Sequence, residues 1–106
     1  MTGIVEMRTY TLYPGKVPMF LDLYKSEGMP VQRAVLGSMI GYFTSDTADL
    51  NQIVHLWRYD GVEDRHARRA RLAADAAWQE YLKKVLPLIK QMHSTLLIPT
   101  DFSPVR

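Results

Sequence analysis

Hydrophobic and polar residues alternate along several segments of the chain, and in others the hydrophobic residues recur at helical spacing. The alternating segments predict β-strands over residues 4–12, 36–45, 50–60 and, as a short last strand, 95–99. The helical spacing predicts helices over residues 17–27, 62–74 and 78–89, with a further short turn at 31–35. Gly28 and Pro30 should end the first helix, and Pro87 should kink or break the last one, because proline lacks a backbone N–H.

This order of elements is β-α-β-β-α-β, the arrangement of the ferredoxin-like α+β fold. Right-handed crossovers would place both helical regions on one face of a four-stranded antiparallel sheet. The chain has 106 residues and no segment typical of a linker, so we predict a single domain over residues 1–106.

The segment 50–60, with sequence LNQIVHLWRYD, is largely apolar on both faces of its predicted strand. Side chains alternate along a strand, so His55 and Trp57 lie on one face and Val54 and Leu56 on the other. We expect Val54 and Leu56 to lie under the helices. The opposite face then needs a partner, and we predict a homodimer, or a higher homo-oligomer, that packs sheet against sheet around a cavity.

The candidate ligand-binding residues are those expected to face this cavity. Strand residues 4–12 place three polar side chains on one face, and the same cavity would receive residues from the neighbouring strands. The candidates are Glu6, Arg8, Tyr10, Tyr42, Asn51, His55 and Trp57.

Two interpretations of these residues remain open. His55 could act as a general acid or base, and Arg8 could bind an anionic group, since histidine is the commonest general base near neutral pH. Alternatively, His55 is a hydrogen-bonded core residue and Glu6 and Arg8 form a structural or interfacial ion pair, since buried charges need partners in any protein.

A second cluster of basic residues lies on the predicted helix 62–74, with acidic residues interspersed. Asp64 is spaced i,i+4 from Arg68, as in ordinary helix ion pairs. We expect a solvated, salt-bridged helix here, and the alternative is that one or two arginines reach the cavity rim or bind an anionic ligand.

Composition narrows the functional classes. The chain has no cysteine, and His55, His66 and His93 are isolated in the sequence, so we predict no metal site and no cofactor. The net charge of +2 is too small to indicate a nucleic-acid partner. Neither a signal sequence nor a membrane-spanning run is apparent, and we expect a cytoplasmic protein without membrane association.

Several segments together resemble the NIPSNAP family over nearly the whole chain. The most specific are the block 50–60 and the spacing that follows it. The matching segments are MRTYTLYPGK at 7–16, GYF at 41–43, LNQIVHLWRYD at 50–60, DRHARRARLAAD at 64–75, then Trp78, Tyr81 and residues 87–89. The loop 45–51 reads SDTADLN where the family commonly has TEIGPLN, and Ala76 stands where the family often has proline.

The resemblance implies a dimeric α/β-barrel, in agreement with the architecture expected from the pattern. Animal members of the family carry mitochondrial targeting segments, and their roles in vesicle traffic and mitochondrial quality control are not expected for this chain. The wider superfamily includes cofactor-independent monooxygenases, whose cavities use residue types found here at Arg8, Tyr10, Asn51 and Trp57. This is a likeness of fold alone.

Our leading hypothesis is a homodimer whose cavity binds a small, partly apolar molecule. The alternatives are a cofactor-independent monooxygenase or acid/base enzyme that uses His55, and a structural or scaffold domain without a ligand.

Overall fold

The computed structural model describes residues 3–106, and its centre is a four-stranded antiparallel sheet. The strands are β1 (Ile4–Leu12), β2 (Ser38–Thr44), β3 (Gln52–Tyr59) and β4 (Ile89–Leu97). Their order in the sheet is β2-β3-β1-β4, so β1 and β3, the strands that contain the buried residues, are central. The ferredoxin-like α+β prediction is confirmed. Met1 and Thr2 of the predicted domain lie outside the described residues.

One continuous helical segment connects β1 to β2. It consists of α1 (Val17–Leu23), a π-helical turn (Tyr24–Gly28) and α2 (Met29–Leu36). The expectation that Gly28 and Pro30 end the helix was wrong. Gly28 has helical backbone angles, and Pro30 follows the π-helical turn in the first turn of α2, so the helical segment continues through both residues. The segment ends instead at Gly37, whose φ is 87°.

The second crossover contains α3 (Val62–Ala74) and α4 (Ala76–Val85). Asp75 separates them and caps α4, since its carboxylate accepts a hydrogen bond of 3.0 Å from the backbone N–H of Trp78. In residues 3–106, no helix is both long and apolar enough to cross a membrane.

The last strand begins earlier than the sequence pattern suggested. A 3-10 turn at Leu86–Leu88 contains Pro87, and β4 starts directly at Ile89. The helix that we predicted to reach residue 89 ends at Val85. The last strand, which we predicted at 95–99, is Ile89–Leu97. His93, expected just beyond a helix, lies in the middle of β4 opposite Thr9.

The helices cover one face of the sheet, and the core lies between the two layers. Ile53, His55 and Trp57 are fully buried on this helix-facing side, whereas Val54 and Leu56 are half-buried on the opposite face. The predicted orientation of β3 is thus reversed. We call the face away from the helices the open face; it carries Ile40, Phe43, Val54, Leu56 and Leu97.

Candidate functional site

A buried carboxylate, that of Glu6, lies at the centre of a polar cluster on the helix-facing side. Its Oε2 accepts hydrogen bonds from Nη1 of Arg8 at 3.0 Å, from Nη2 of Arg65 at 2.7 Å and from the hydroxyl of Ser94. Burial alone would raise the pKa of Glu6, but the hydrogen bonds from Arg65 and Ser94 and the charge of Arg8 outweigh it and hold the pKa at about 2. Glu6 is therefore ionised at neutral pH.

The basic residues of α3 have two different roles: one holds the helices together and another bonds the buried carboxylate. Arg68 is structural, because it bonds Asp64 at 2.9 Å and donates to the carbonyl oxygen of Val35 at the end of α2. Arg65 instead reaches across to Glu6. Arg69, one turn further along α3, is also partly buried. The expectation of a solvated helix describes Arg68 but was wrong for Arg65 and Arg69.

A signal for these two arginines was present in the sequence. Arg65 and Arg69 are spaced i,i+4, and Leu72 follows Arg69 at i+3, so all three share one helical face. Leu72 is buried against the core. The face of α3 that packs on the sheet therefore contains two arginines.

His55 is held in one protonation and tautomeric state. Its Nδ1 accepts a hydrogen bond of 2.7 Å from the indole N–H of Trp57, so the ring proton is on Nε2. Burial, reinforced by the charge of Arg8, lowers the pKa of His55 to about 3. A neutral imidazole whose free lone pair is already engaged cannot accept a proton near pH 7. The geometry therefore argues against His55 as a general base.

Five buried side-chain atoms in or beside this cluster have no hydrogen-bond partner within residues 3–106. We call them the orphan atoms: Glu6 Oε1, His55 Nε2, Tyr59 Oη, Arg65 Nε and Arg69 Nη1. Burial raises the pKa of Tyr59, and the charge of Arg69 together with a contact between its guanidinium and the Tyr59 hydroxyl offsets part of that rise, although the contact falls short of full hydrogen-bond geometry. Buried polar groups in folded proteins are almost always paired, so these atoms need partners from outside the protein, which bound water or a ligand would supply.

Two tyrosines among the predicted ligand-binding residues lie beside the cluster. The hydroxyl of Tyr10 accepts a hydrogen bond from Nε of Arg8 at 2.9 Å. The ring of Tyr42 stacks on His55, with 4.6 Å between ring centroids, and burial raises the pKa of its hydroxyl. Both are on the helix-facing side. Glu6, Arg8, Tyr10, Tyr42, His55 and Trp57 are therefore brought together, but under the helices and not on the open face.

Asn51 lies at the hairpin end of the row of candidates, two positions from Ile53, which pairs with Tyr10, and away from His55 and Trp57. It lies in the β2–β3 hairpin with φ of 61°, and its carbonyl oxygen accepts a hydrogen bond of 2.8 Å from the N–H of Leu12. Six strand positions separate it from Trp57, about 20 Å at the usual rise of a strand. Its geometry fits a role in the turn, because asparagine tolerates left-handed backbone better than most residues do.

The open face carries two depressions. One, of about 210 Å³, is lined by Val5, Ile40, Leu56 and Leu97 together with residues of the C-terminal tail. The other, of about 350 Å³, lies near the hairpin and is lined by Thr11, Asp49, Leu50, Gln52, Gln91 and His93. Neither lining contains a predicted ligand-binding residue, because those side chains are on the other side of the sheet.

The electrostatics of the cluster favour anions. Arg8 and Arg65 bond the single carboxylate of Glu6, and Arg69 lies near His55 and Tyr59, which leaves an excess of positive charge in a largely buried environment. Guanidinium groups pair with carboxylates and phosphates with good geometry. Within the described part of the chain, no group of three His, Asp or Glu side chains is placed to hold a metal ion.

Two solved structures similar to this chain are those of bacterial proteins. A NIPSNAP family protein from Agrobacterium tumefaciens is 41% identical and superposes with a TM-score of 0.97 over 99% of this chain and 92% of its own. An uncharacterized NIPSNAP-like domain protein from Burkholderia xenovorans is 48% identical, with a TM-score of 0.94 over 96% and 89% of the two chains.

More distant similarity shows the fold alone. A putative antibiotic biosynthesis monooxygenase from Nitrosomonas europaea has a TM-score of 0.69 over 98% of this chain and 94% of its own, at 11% identity. The fold is thus that of the dimeric α/β-barrel proteins, as predicted, and this likeness carries no information about activity.

Curated relatives are longer than this chain. NipSnap homolog 3B from Mus musculus is 37% identical over 98 residues, which are 89% of this chain but 39% of the mouse protein. The sequence profile of the NIPSNAP family matches residues 5–104. Because this match includes all but the first residue of the sheet and both helical crossovers, the chain belongs to the NIPSNAP family.

Proposed function

We propose that this protein binds a small, partly apolar organic anion at the arginine-rich cluster on the helix-facing side of its sheet. The observation that carries the proposal is the pair of orphan donors Arg65 Nε and Arg69 Nη1, beside a cluster with excess positive charge. Burying a guanidinium N–H without an acceptor is costly, and a ligand anion would satisfy both donors.

The surroundings of the cluster support an organic ligand. On β4, Ser94 bonds Glu6, and the residues two positions to either side on the same face, Met92 and Leu96, are 43% and 42% exposed. These half-exposed apolar side chains offer a surface for the apolar part of a ligand. The side chains of Arg8 and Arg65 are 12% and 16% exposed. The orphan atoms are not accessible to solvent, so a ligand would reach them only when the side chains of Arg8 and Arg65 move aside.

The open face supports a separate role in self-association. It carries apolar residues that are half-buried or exposed, including Phe43 at 55% exposure and Val54 on a central strand. A contiguous apolar surface of this kind marks an association site. We therefore propose a homodimer that packs through the open face, with a ligand site on the opposite side of each sheet.

The alternative, a scaffold domain without a ligand, predicts a different arrangement of the polar residues. It requires His55 and Arg8 to be fully paired within the protein and to border no open cavity. Arg8 bonds Glu6 and Tyr10, and neither depression of the open face is lined by Arg8 or His55. His55 does not meet the first condition, because its Nε2 has no partner among residues 3–106, and this orphan atom supports a binding protein over the scaffold alternative.

Calorimetric titration with phenylacetate, an apolar ring bearing one carboxylate, tests the ligand proposal. We expect binding of phenylacetate but not of phenylacetamide, which has the same shape without the charge. Arg69→Gln should weaken phenylacetate binding about tenfold or more, the usual effect of losing a charged hydrogen bond. Arg71→Gln, at an exposed position of the same helix, is the matched control and should bind normally. Equal affinity for the acid and the amide would contradict the proposal.

A further inference from the structure

The orphan atoms differ in what they can offer a ligand. His55 Nε2, Arg65 Nε and Arg69 Nη1 are donors, and Glu6 Oε1 is an acceptor. The assignment for His55 follows from the hydrogen bond between Trp57 and Nδ1, which leaves the proton on Nε2. Tyr59 Oη can act in either way. A ligand that forms hydrogen bonds with all the orphan atoms must accept several hydrogen bonds and donate at least one.

The register of the sheet gathers these atoms into one region. Glu6 lies opposite Trp57 in the β1–β3 pair, and Arg8 lies opposite His55, so Glu6 and His55 are diagonal neighbours on the helix-facing side. Arg65 contacts Glu6 directly at 2.7 Å, and Arg69 is one helical turn away on the same face of α3. The charges of Glu6 and Arg69 both act on His55, as expected for groups this near.

Water alone does not fit this set well. A water molecule could bridge two of the donors to Glu6, but it would leave the excess positive charge of the arginines without a counterion. An oxyanion neutralises that charge and accepts from several donors. An oxyanion without a hydroxyl would bind more weakly, because it cannot donate to the ionised Glu6 Oε1 and lies beside its charge.

We infer that the ligand is a hydroxycarboxylic acid, in which a carboxylate accepts from Arg65, Arg69 and His55 while an adjacent hydroxyl donates to Glu6 Oε1. This inference rests on the proposed function and adds the hydroxyl to it. The exposed apolar residues Met92 and Leu96 beside Ser94 favour an organic acid over inorganic phosphate, which could supply the same hydrogen bonds but makes no use of apolar surface.

The test is a calorimetric titration of the full chain with four matched probes. They are mandelate, which has a phenyl ring, a carboxylate and an adjacent hydroxyl; phenylacetate, which lacks the hydroxyl; α-methoxyphenylacetate, which keeps the oxygen but has no proton to donate; and inorganic phosphate. We expect one enantiomer of mandelate to bind about tenfold tighter than phenylacetate, the factor typical of a hydrogen bond to a charged group. The methoxy compound should bind no better than phenylacetate.

The possible failures are distinguishable. Equal affinities for mandelate and phenylacetate, or for mandelate and its methoxy analogue, would overturn the hydroxyl inference and leave the proposed function standing. Phosphate binding as tight as that of mandelate would overturn the organic acid. Absence of binding by all the carboxylates would overturn both the inference and the proposed function.

Variants provide a second line of evidence. Glu6→Gln removes the charged acceptor and should abolish the preference for mandelate over phenylacetate, whereas Arg71→Gln should retain it. If Glu6→Gln does not fold, because removing one partner of a buried ion pair is strongly destabilising, the comparison with the methoxy analogue decides the question in the wild-type protein. A folded Glu6→Gln variant that keeps the full preference for mandelate would contradict the inference.

Discussion

The indole N–H of Trp57 donates a hydrogen bond of 2.7 Å to Nδ1 of His55, and both side chains are completely buried. The two residues are adjacent on the helix-facing side of β3, where every second side chain points toward the helices. This bond determines which nitrogen of His55 carries the proton, and therefore turns a residue that sequence analysis proposed as a base into a hydrogen-bond donor.

The tautomer of His55 can be observed directly. We expect ¹⁵N NMR of the imidazole to show a protonated Nε2 and an unprotonated Nδ1 from pH 8 down to pH 5. Trp57→Phe should lower the free energy of unfolding by about 1–3 kcal/mol, the cost of leaving a buried acceptor unpaired, in addition to the loss of ring volume. Trp78→Phe is the control for volume, since the Trp78 ring makes no hydrogen bond to any described residue. Equal losses in the two variants would contradict this role for the Trp57 N–H.

Acid should destabilise the protein through His55 before it does so through Glu6. The pKa of His55 falls from 6.5 to about 3 on folding, so below pH 6.5 the unfolded chain takes up a proton that the folded protein does not. The stability is then fully present above pH 6.5 and decreases by roughly 1.4 kcal/mol per pH unit as the pH falls toward 3. Glu6, with its pKa lowered from 4.5 to about 2, adds a further loss only below pH 4.5.

Urea unfolding between pH 7 and pH 4.5 measures this effect. His55→Asn should remove most of the pH dependence in that range, whatever its absolute stability. His66→Asn, at an exposed position of α3, should leave the dependence unchanged. A wild-type stability that is flat between pH 6.5 and pH 5 would show that His55 is not held neutral.

The role of Asn51 can be separated from ligand binding. Because its φ is 61°, Asn51→Gly should preserve or slightly raise stability, whereas Asn51→Ala should cost about 1 kcal/mol from left-handed backbone strain. Thermal unfolding of the two variants measures the difference. Phenylacetate affinity should be the same in both. A loss of affinity in the stable glycine variant would instead return Asn51 to the ligand site.

Gly28 lies directly against the ring of Tyr81. A β-carbon at position 28 would lie 2.6 Å from the nearest atom of that ring, which is closer than atoms can pack. Gly28→Ala should therefore destabilise the protein by about 1–3 kcal/mol through overpacking. Gly61→Ala, at an extended position with open space around it, should change stability by less than about 0.5 kcal/mol in the same chemical denaturation experiment. A neutral Gly28→Ala would show that α4 can shift to make room.

The sequence predicted the order of the elements and the family, but not which face of the sheet the helices cover. Alternation along β3 separates His55 and Trp57 from Val54 and Leu56, yet it does not say which set the helices cover. Charged residues usually avoid a sheet–helix core, so Glu6 and Arg8 appeared to belong on the other face.

Their burial is possible because Arg65, which lies 59 positions further along the chain than Glu6, donates a hydrogen bond to the Glu6 carboxylate. The spacing of Arg65, Arg69 and Leu72 places the two arginines on the packed face of α3, but no local pattern shows that Arg65 meets Glu6. The early start of β4 was missed for a different reason. Leu88 and Ile89 continue the spacing of the preceding helix, and only the geometry of Pro87 separates them from it.

The central claim is that the ligand site belongs to the helix-facing side of one protomer and not to a cavity between two sheets. Val54→Glu places a charge at the centre of the open face, on the opposite side of the sheet from the arginine cluster, and should convert the proposed dimer to a monomer, as measured by sedimentation. The most direct measurement is the affinity of this monomeric variant for phenylacetate. We predict an affinity within about twofold of wild type, since no group of the site is changed. A monomer that is folded but no longer binds phenylacetate would contradict the account and place the site between the sheets.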